Sequence, residues 1–118
     1  MAAPRRPRAR KLPPVTPRLI QMMVRRLVRQ FHPEQIILFG SHARGTAGPD
    51  SDVDLLVVMP VHGSKREKQI EMQLALDDIL VAKDIIVVTP EQLQRNRGIP
   101  GTIERPAVLE GHVLYARP

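Results

Sequence analysis

Three acidic residues stand where this sequence predicts the start of buried strands. Asp52 and Asp54 open the apolar run DVDLLVV, and Asp84 opens the run DIIVV. In a strand, residues i and i+2 project from the same face with their α-carbons about 6.6 Å apart. Asp52 and Asp54 are therefore expected to point the same way. Paired carboxylates in an apolar setting are costly unless a cation lies between them.

The donor chemistry of these carboxylates suits Mg²⁺. This ion prefers hard oxygen ligands, and proteins usually hold it through a few carboxylates together with substrate phosphates. If the strands that carry Asp54 and Asp84 are neighbours, three carboxylates meet around one point. Such a set can hold two metal ions about 3.5–4 Å apart, which is the arrangement that clamps an in-line phosphoryl transfer. The sequence therefore predicts a site for two Mg²⁺ ions formed by Asp52, Asp54 and Asp84.

A candidate phosphate site follows another apolar run, QIILF, over residues 35–39. Gly40 lets the backbone approach a ligand closely, and a helical turn that begins at Ser41 would present free N–H groups to a phosphate. Ser41 adds a hydroxyl donor, and Arg44 adds a positive charge. A Gly-Ser pair by itself most often forms a turn. An Asp-x-Asp pair by itself is most often the solvated start of a strand. Their joint occurrence at strand ends favours a site.

Periodicity and capping signals predict the helices that position these residues. Thr16 is the predicted N-cap of a helix that begins at Pro17 and ends before Pro33. Residues 65–80 predict a second helix. Its predicted inward residues are Ile70, Leu74, Ile79 and Leu80. The basic residues expected to form the solvated face of the first helix are Arg25, Arg26 and Arg29.

The remaining signals predict a short helix after Thr89, a helical segment over residues 102–111 and an edge strand over residues 112–116. Three buried strands between helices indicate a small α/β domain with a mixed sheet flanked by helices.

Composition separates a tail from this domain. The chain has 118 residues, no cysteine and a net charge of +6. Residues 1–15 contain five basic residues and no acid, so the remaining 13 basic and 12 acidic residues leave the body at +1. The prediction is a disordered basic tail over residues 1–15 and one domain over residues 16–118. No signal peptide and no membrane span is recognisable, so a cytoplasmic location without a membrane partner is expected.

The sequence resembles the minimal nucleotidyltransferase family of the DNA polymerase β-like superfamily. The family motif is Gly-Ser, ten residues and Asp-x-Asp, which matches Gly40-Ser41, residues 42–51 and Asp52-Val53-Asp54. The segment NRGIPGTIERPAVLEGHVLY is also similar to the carboxy-terminal part of these proteins, so the resemblance covers about residues 17–116. His42 departs from the commonest form, which has arginine there, and is expected to face solvent.

The resemblance implies the polymerase β-like nucleotidyltransferase fold and an enzyme that transfers a nucleoside monophosphate from an NTP to a hydroxyl, with release of pyrophosphate. Gly40 and Ser41 would hold the triphosphate, and Asp52 and Asp54 would bind both Mg²⁺ ions. Asp84 would help to place and deprotonate the acceptor hydroxyl. Many such small proteins are antitoxins that adenylylate a tyrosine of a HEPN-type toxin, which implies ATP as the donor and such a toxin as the partner.

Two other functions stay open at this point. A non-catalytic antitoxin would mask its partner by surface contact alone, although that role does not need three carboxylates. A nucleotidyltransferase can also act on a small molecule or on a nucleic-acid 3′ end, but no acceptor domain is recognisable for either. The basic tail is the only feature that favours nucleic acid, and it has no interleaved aromatic residues for base stacking.

Overall fold

The structure, a computed structural model, describes residues 14–118. The strands are β1 (Gln35–Phe39), β2 (Val53–Val58), β3 (Lys83–Val88) and β4 (His112–Ala116). The helices are α1 (Pro17–Phe31), α2 (Ser41–Arg44), α3 (Lys65–Ala75), α4 (Pro90–Asn96) and α5 (Glu104–Glu110). The strands form one mixed sheet in the order β3-β2-β1-β4. The predicted α/β fold, a small mixed sheet flanked by helices, is confirmed.

The strand directions gather several chain ends at one edge of the sheet. β1 runs antiparallel to β2 and β4, while β2 and β3 are parallel and are joined through α3. Phe39 at the end of β1 lies opposite Asp54, and His112 at the start of β4 lies opposite Leu38. We call this edge, where β1 ends and β2, β3 and β4 begin, the acidic end of the sheet.

The core has one layer on each face of the sheet. Alternate residues of a strand project to opposite faces, so odd-numbered β2 residues such as Leu55 pack with α1 and α3. The even-numbered residues Leu56 and Val58 pack instead in a second cluster with Ala107 of α5 and the half-buried Leu93 of α4. Both faces of β2 are therefore apolar along most of its length, which explains its continuous run of hydrophobic residues.

Helix α1 has the predicted bounds. The Thr16 hydroxyl accepts a hydrogen bond of 3.1 Å from the Leu19 N–H, and Pro17 occupies the first helical position. At the other end His32 adopts the left-handed conformation, with φ 52°, and Pro33 follows it. The residues of α1 that are buried against the sheet are Ile20, Met23, Val24 and Leu27. These belong to the apolar stripe that the sequence presents at helical spacing.

The predicted inward face of α3 was wrong. Leu74 is 68% exposed, and Ile70 and Leu80 are also exposed; of the four predicted residues only Ile79 is buried. The helix also ends at Ala75 instead of continuing to residue 80. Its buried residue is Met72, and Leu76 at its C-cap is buried as well.

Polar contacts explain how α3 is oriented. The Gln69 side chain accepts a 2.8 Å hydrogen bond from the Val87 N–H, and the Gln73 side chain donates one of 3.2 Å to the Lys83 carbonyl. Both partners lie on the outer edge of β3, where a sheet leaves backbone groups unpaired. The face of α3 that meets the sheet therefore contains two glutamines. A prediction based on the spacing of apolar residues cannot place these glutamines on the inward face.

One predicted solvated arginine is instead a structural contact. The Arg26 guanidinium donates to the Ala75 carbonyl at 3.1 Å and also pairs with the Asp78 carboxylate. Arg26 therefore fastens α1 to the C-terminal end of α3, where helical carbonyls lack intrahelical partners. Arg25 and Arg29 are exposed, as predicted.

The tail prediction falls almost entirely on residues 1–13, which lie outside the described residues. Its last residue, Val15, is half-buried and packs against the core. Within residues 14–118, no helix is both long enough and apolar enough to cross a membrane.

Candidate functional site

Asp54 and Asp84 lie directly opposite each other on the parallel strands β2 and β3. Asp54 shares its face of β2 with Leu56 and Val58, and Asp84 shares its face of β3 with Ile86, so both carboxylates lie on the sheet face that α4 and α5 cover. The two strands are neighbours, which was the condition for a shared carboxylate site.

Asp52 lies just before the strand instead of in it. β2 begins at Val53, whose N–H donates a 2.9 Å hydrogen bond to the Ala82 carbonyl before β3 begins. Asp52 is exposed, whereas Asp54 is half-buried. The negative charge of Asp52 still acts on Asp54, so all three predicted carboxylates occupy the acidic end of the sheet.

The surroundings of Asp54 raise the pKa of its carboxyl above the ordinary value. Burial is the largest cause, followed by the negative charge of Asp84 and then by that of Asp52. The positive charges of His42 and Arg44 act in the opposite direction but do not cancel the effect. A carboxylate that is desolvated and repelled by two others would be stabilised by a cation.

The side chains do not form a closed metal cage. Among residues 14–118, no three His, Cys, Asp or Glu side chains are grouped so that they could hold a metal ion. Asp54 and Asp84 face each other, while Asp52 stands further toward solvent. Any metal ion bound here would therefore need ligands from elsewhere to complete its coordination.

Gly40 brings the end of β1 against the Asp54 carboxylate. A Cβ atom on Gly40 would lie 2.1 Å from Asp54 Oδ2, so only glycine fits. Its backbone angles, φ 73° and ψ −157°, also belong to a region that is essentially restricted to glycine. Gly40 therefore allows the chain both to turn sharply after β1 and to touch the carboxylate.

A single helical turn begins at Ser41, as the phosphate-site hypothesis required. In α2 the N–H groups of Ala43 and Arg44 both donate to the Gly40 carbonyl at 3.1 Å. The first N–H groups of any helix lack intrahelical acceptors and point along its axis. The start of α2 thus directs such groups outward beside the carboxylate that Gly40 touches.

His42, which was expected to face solvent, is half-buried and makes a contact with the backbone. Its Nε2–H donates a 3.1 Å hydrogen bond to the Ser51 carbonyl, since a carbonyl can only accept. Ser51 immediately precedes Asp52. His42 therefore connects α2 to the segment that carries the first carboxylate of the Asp-x-Asp pair.

Two contacts that the sequence did not predict tie α2 to the C-terminal part of the chain. The His112 Nε2–H donates a 2.8 Å hydrogen bond to the Ala43 carbonyl. Arg44, a predicted phosphate ligand, forms an exposed ion pair of 3.4 Å with Glu110 at the end of α5. No local signal identifies these partners, because 69 residues separate His112 from Ala43.

A groove of about 480 Å³ lies away from the carboxylates, between α1 and β4, and is lined by Val24, Val28, Leu114 and Tyr115 among others. It belongs to the sheet face opposite Asp54 and Asp84. At the acidic end, Asp52, Asp84 and residues 44–50 are exposed, so this end is open to solvent and offers few walls around a substrate.

The sequence matches a known family of protein domains. Residues 20–109, which include every predicted site residue, match the model of the nucleotidyltransferase domain family. No curated protein matches the chain.

Solved structures share the fold. A provisionally assigned nucleotidyltransferase from Sulfolobus solfataricus has 22% identity, with 85% of this chain and 79% of that chain covered and a TM-score of 0.53. A toxin–antitoxin complex with AMP-PNP has 22% identity, with 82% of this chain and 73% of that chain covered and a TM-score of 0.53. A complex of a tri-AMPylated Shewanella oneidensis HEPN toxin with an MNT antitoxin has 19% identity, with 85% of this chain and 72% of that chain covered and a TM-score of 0.50. Because the family model spans most of the chain, from β1 to β3 and beyond, this protein belongs to the nucleotidyltransferase domain family.

Proposed function

We propose that this nucleotidyltransferase depends on Mg²⁺ and transfers AMP from ATP to a hydroxyl of a partner protein, namely a tyrosine of a HEPN-type toxin that it neutralises as an antitoxin. The observation that carries the proposal is the direct opposition of Asp54 and Asp84 beside Gly40. In this arrangement the carboxylates can bind a cation, and the backbone at Gly40 can come close to a phosphate.

The donor set fits Mg²⁺ in its chemistry. Asp52 and Asp54 supply hard oxygen ligands, and the repulsion that Asp54 experiences from its acidic neighbours is what a cation would relieve. Mg²⁺ usually binds through one or two carboxylates together with substrate phosphates, so Asp52 and Asp54 would suffice as its protein ligands. When bound, the metal would supply charge stabilisation for the phosphates.

The chain's own residues would bind and orient the reactants. Gly40 and Ser41 would hold the triphosphate through backbone N–H groups and the Ser41 hydroxyl, and Arg44 would exchange its exposed pairing with Glu110 for a phosphate. Asp84 would accept the proton of the acceptor hydroxyl. The acceptor oxygen would then form a bond to the α-phosphorus while the bond to the pyrophosphate oxygen breaks.

The open edge supports an acceptor carried by another protein. A domain with few walls around its carboxylates cannot enclose a small acceptor, whereas a protein partner brings its own surface. Solved structures of the same fold include toxin–antitoxin complexes, one with AMP-PNP and one with an AMPylated HEPN toxin. These neighbours motivate the choice of ATP and of a HEPN-type toxin, and the tyrosine is what the resemblance to minimal nucleotidyltransferases implies.

The proposal is tested by incubating the purified protein with Mg²⁺ and α-labelled ATP, with and without the protein encoded beside it, which the proposal takes to be the toxin. Label should appear on the toxin and should require Mg²⁺. The Asp52→Ala, Asp54→Ala double variant should lose transfer, whereas Asp77→Ala, an exposed carboxylate beyond α3, should retain it. A stable complex that never acquires label would instead favour a masking antitoxin without catalysis.

A further inference from the structure

We infer that His112, together with the Gly111 junction that places it, positions α2 and thereby sets the affinity for the nucleotide phosphates. His112 lies outside the residues matched by the family model. The inference rests on the proposed function, because it takes α2 to be the segment that binds phosphate. His112 would act as a positioning residue and would not touch the substrate.

The need for such a residue follows from the length of α2. Ser41–Arg44 is a single turn, and isolated helices much longer than this are unstable in water. The direction of its first N–H groups must therefore be maintained by contacts with the rest of the fold. The following residues, 45–50, are all exposed and give it little support.

Two histidines provide the side-chain support from opposite sides. His42 reaches from α2 to the Ser51 carbonyl at 3.1 Å, and His112 reaches from β4 to the Ala43 carbonyl at 2.8 Å. The carbonyls in the last turn of a helix have no intrahelical partner. The shorter hydrogen bond, from His112, thus satisfies a group that a four-residue helix leaves free and fixes α2 to the sheet.

Gly111 explains how His112 reaches this position. A Cβ atom on Gly111 would lie 2.2 Å from the Ala107 carbonyl oxygen and 2.8 Å from that of Leu38. The turn between α5 and β4 therefore packs directly on the β1 backbone two residues before Gly40. Because His112 is also opposite Leu38 in the sheet, it is anchored to the strand from which α2 extends.

A third side-chain contact, and the second from the C-terminal part of the chain, acts on the same helix. Glu110, at the end of α5, forms the ion pair with Arg44, and both side chains are about half exposed. Exposed pairs contribute little to stability. His112 is itself an exposed residue, but its hydrogen bond to the Ala43 carbonyl is partly buried and, at 2.8 Å, shorter than the 3.4 Å ion pair. It is therefore expected to be the stronger of the two contacts, and it is the one to test.

The experiment measures the dissociation constant of Mg²⁺–ATP by calorimetry for the wild-type protein and for His112→Ala, His112→Gln and His62→Ala. Loss of one hydrogen bond should weaken binding about five-fold in His112→Ala. Glutamine carries an N–H donor at similar reach and should restore most of the affinity. His62 is exposed in the turn before α3, so His62→Ala should bind like wild type.

Kinetics and hydrogen exchange separate positioning from a purely structural role. In His112→Ala, KM for ATP should rise by the same factor as the dissociation constant while kcat changes less, and the amides of α2 should exchange faster. Unchanged ATP affinity in His112→Ala, or a His112→Gln variant as weak as His112→Ala, would overturn the inference and leave the proposed function intact. A wild-type protein that does not bind Mg²⁺–ATP would overturn both.

Discussion

Asp54 and Asp84 lie side by side on parallel strands, each the direct register partner of the other. Their opposition is unfavourable by itself, since like charges opposite each other destabilise a sheet. The protein nevertheless places Asp52 next to them and lays the Gly40 backbone against Asp54. An arrangement that costs stability at the end of a well-packed sheet is typical of a functional site.

Replacing Asp54 should therefore separate stability from activity. Asp54→Asn removes the half-buried charge that Asp84 and Asp52 repel, so without metal the variant should be more stable by on the order of 0.5 kcal/mol, which raises the melting temperature by a few degrees. The same variant should lose transfer.

Thermal melting with and without Mg²⁺ checks this prediction. Mg²⁺ should raise the melting temperature of the wild-type protein and have little effect on Asp54→Asn. Asp50→Asn, an exposed carboxylate of the preceding loop, serves as the control and should behave like wild type. A lower melting temperature for Asp54→Asn without metal would show that the carboxylate stabilises the fold.

Gly40→Ala should abolish transfer and destabilise the protein. The new Cβ would collide with Asp54 Oδ2, and the backbone angles are unsuitable for alanine, so we expect a cost of about 1–3 kcal/mol or more. Gly45→Ala is an informative control. It also has a positive φ, 75°, but apart from its chain neighbours no atom of residues 14–118 lies within 4 Å of the added Cβ.

Urea denaturation and the transfer assay should distinguish these two glycines. Gly45→Ala should show only the backbone cost, about 1–2 kcal/mol, and should keep activity. If both variants lost activity equally, the contact between Gly40 and Asp54 would not be the reason that position 40 requires glycine.

The contact between Arg26 and Asp78 should make stability depend on pH in a defined direction. The hydrogen bond from Arg26 holds the pKa of Asp78 below its ordinary value of 3.8. The folded state therefore gains stability from the ionised carboxylate above pH 3.8 and loses it as the pH falls through the lowered pKa.

Melting temperatures of wild type and Asp78→Asn between pH 7 and pH 2.5 test this relationship. The wild-type advantage should be small, because the pair is exposed, and it should shrink below pH 3.8. Asp77→Asn is the matched control, since Asp77 makes no ion pair within the described part of the chain. A wild-type advantage that is as large at pH 2.5 as at pH 7 would contradict the assignment.

The orientation of α3 can be checked with two apolar positions of the same helix. Met72 is fully buried, so Met72→Ala should cost about 2–5 kcal/mol. Leu74 is largely exposed, and Leu74→Ser should change the free energy of unfolding by less than about 0.5 kcal/mol. Chemical denaturation gives both values. If Leu74→Ser were instead more destabilising than Met72→Ala, the inward face predicted from the sequence would be correct.

The sequence alone determined the features that depend on neighbouring residues. The Thr16 cap with Pro17, the short apolar strand from Gln35 to Phe39, and the helix after Thr89 all have the predicted starts. Each depends on side-chain-to-backbone bonding or on local burial within a few positions. The spacing from Gly40-Ser41 to Asp52-x-Asp54 is also local, and it predicted the family to which the chain belongs.

Only the tertiary structure decided which distant groups meet. Apolar spacing placed Leu74 inside, but Gln69 and Gln73 satisfy the free edge of β3 and turn Leu74 outward. His42 was expected only to face solvent and His112 only to begin an edge strand, yet both bond to backbone carbonyls around α2.

The physical reason is that a hydrogen bond between distant residues depends on strand order and register. β4 lies beside β1, and this places His112 opposite Leu38, within reach of Ala43. In the same way, the parallel pairing of β2 and β3 sets Asp84 opposite Asp54. The types and local spacing of the acidic residues can be read from the sequence. The pairing of strands in the sheet decides that Asp54 and Asp84 lie opposite each other.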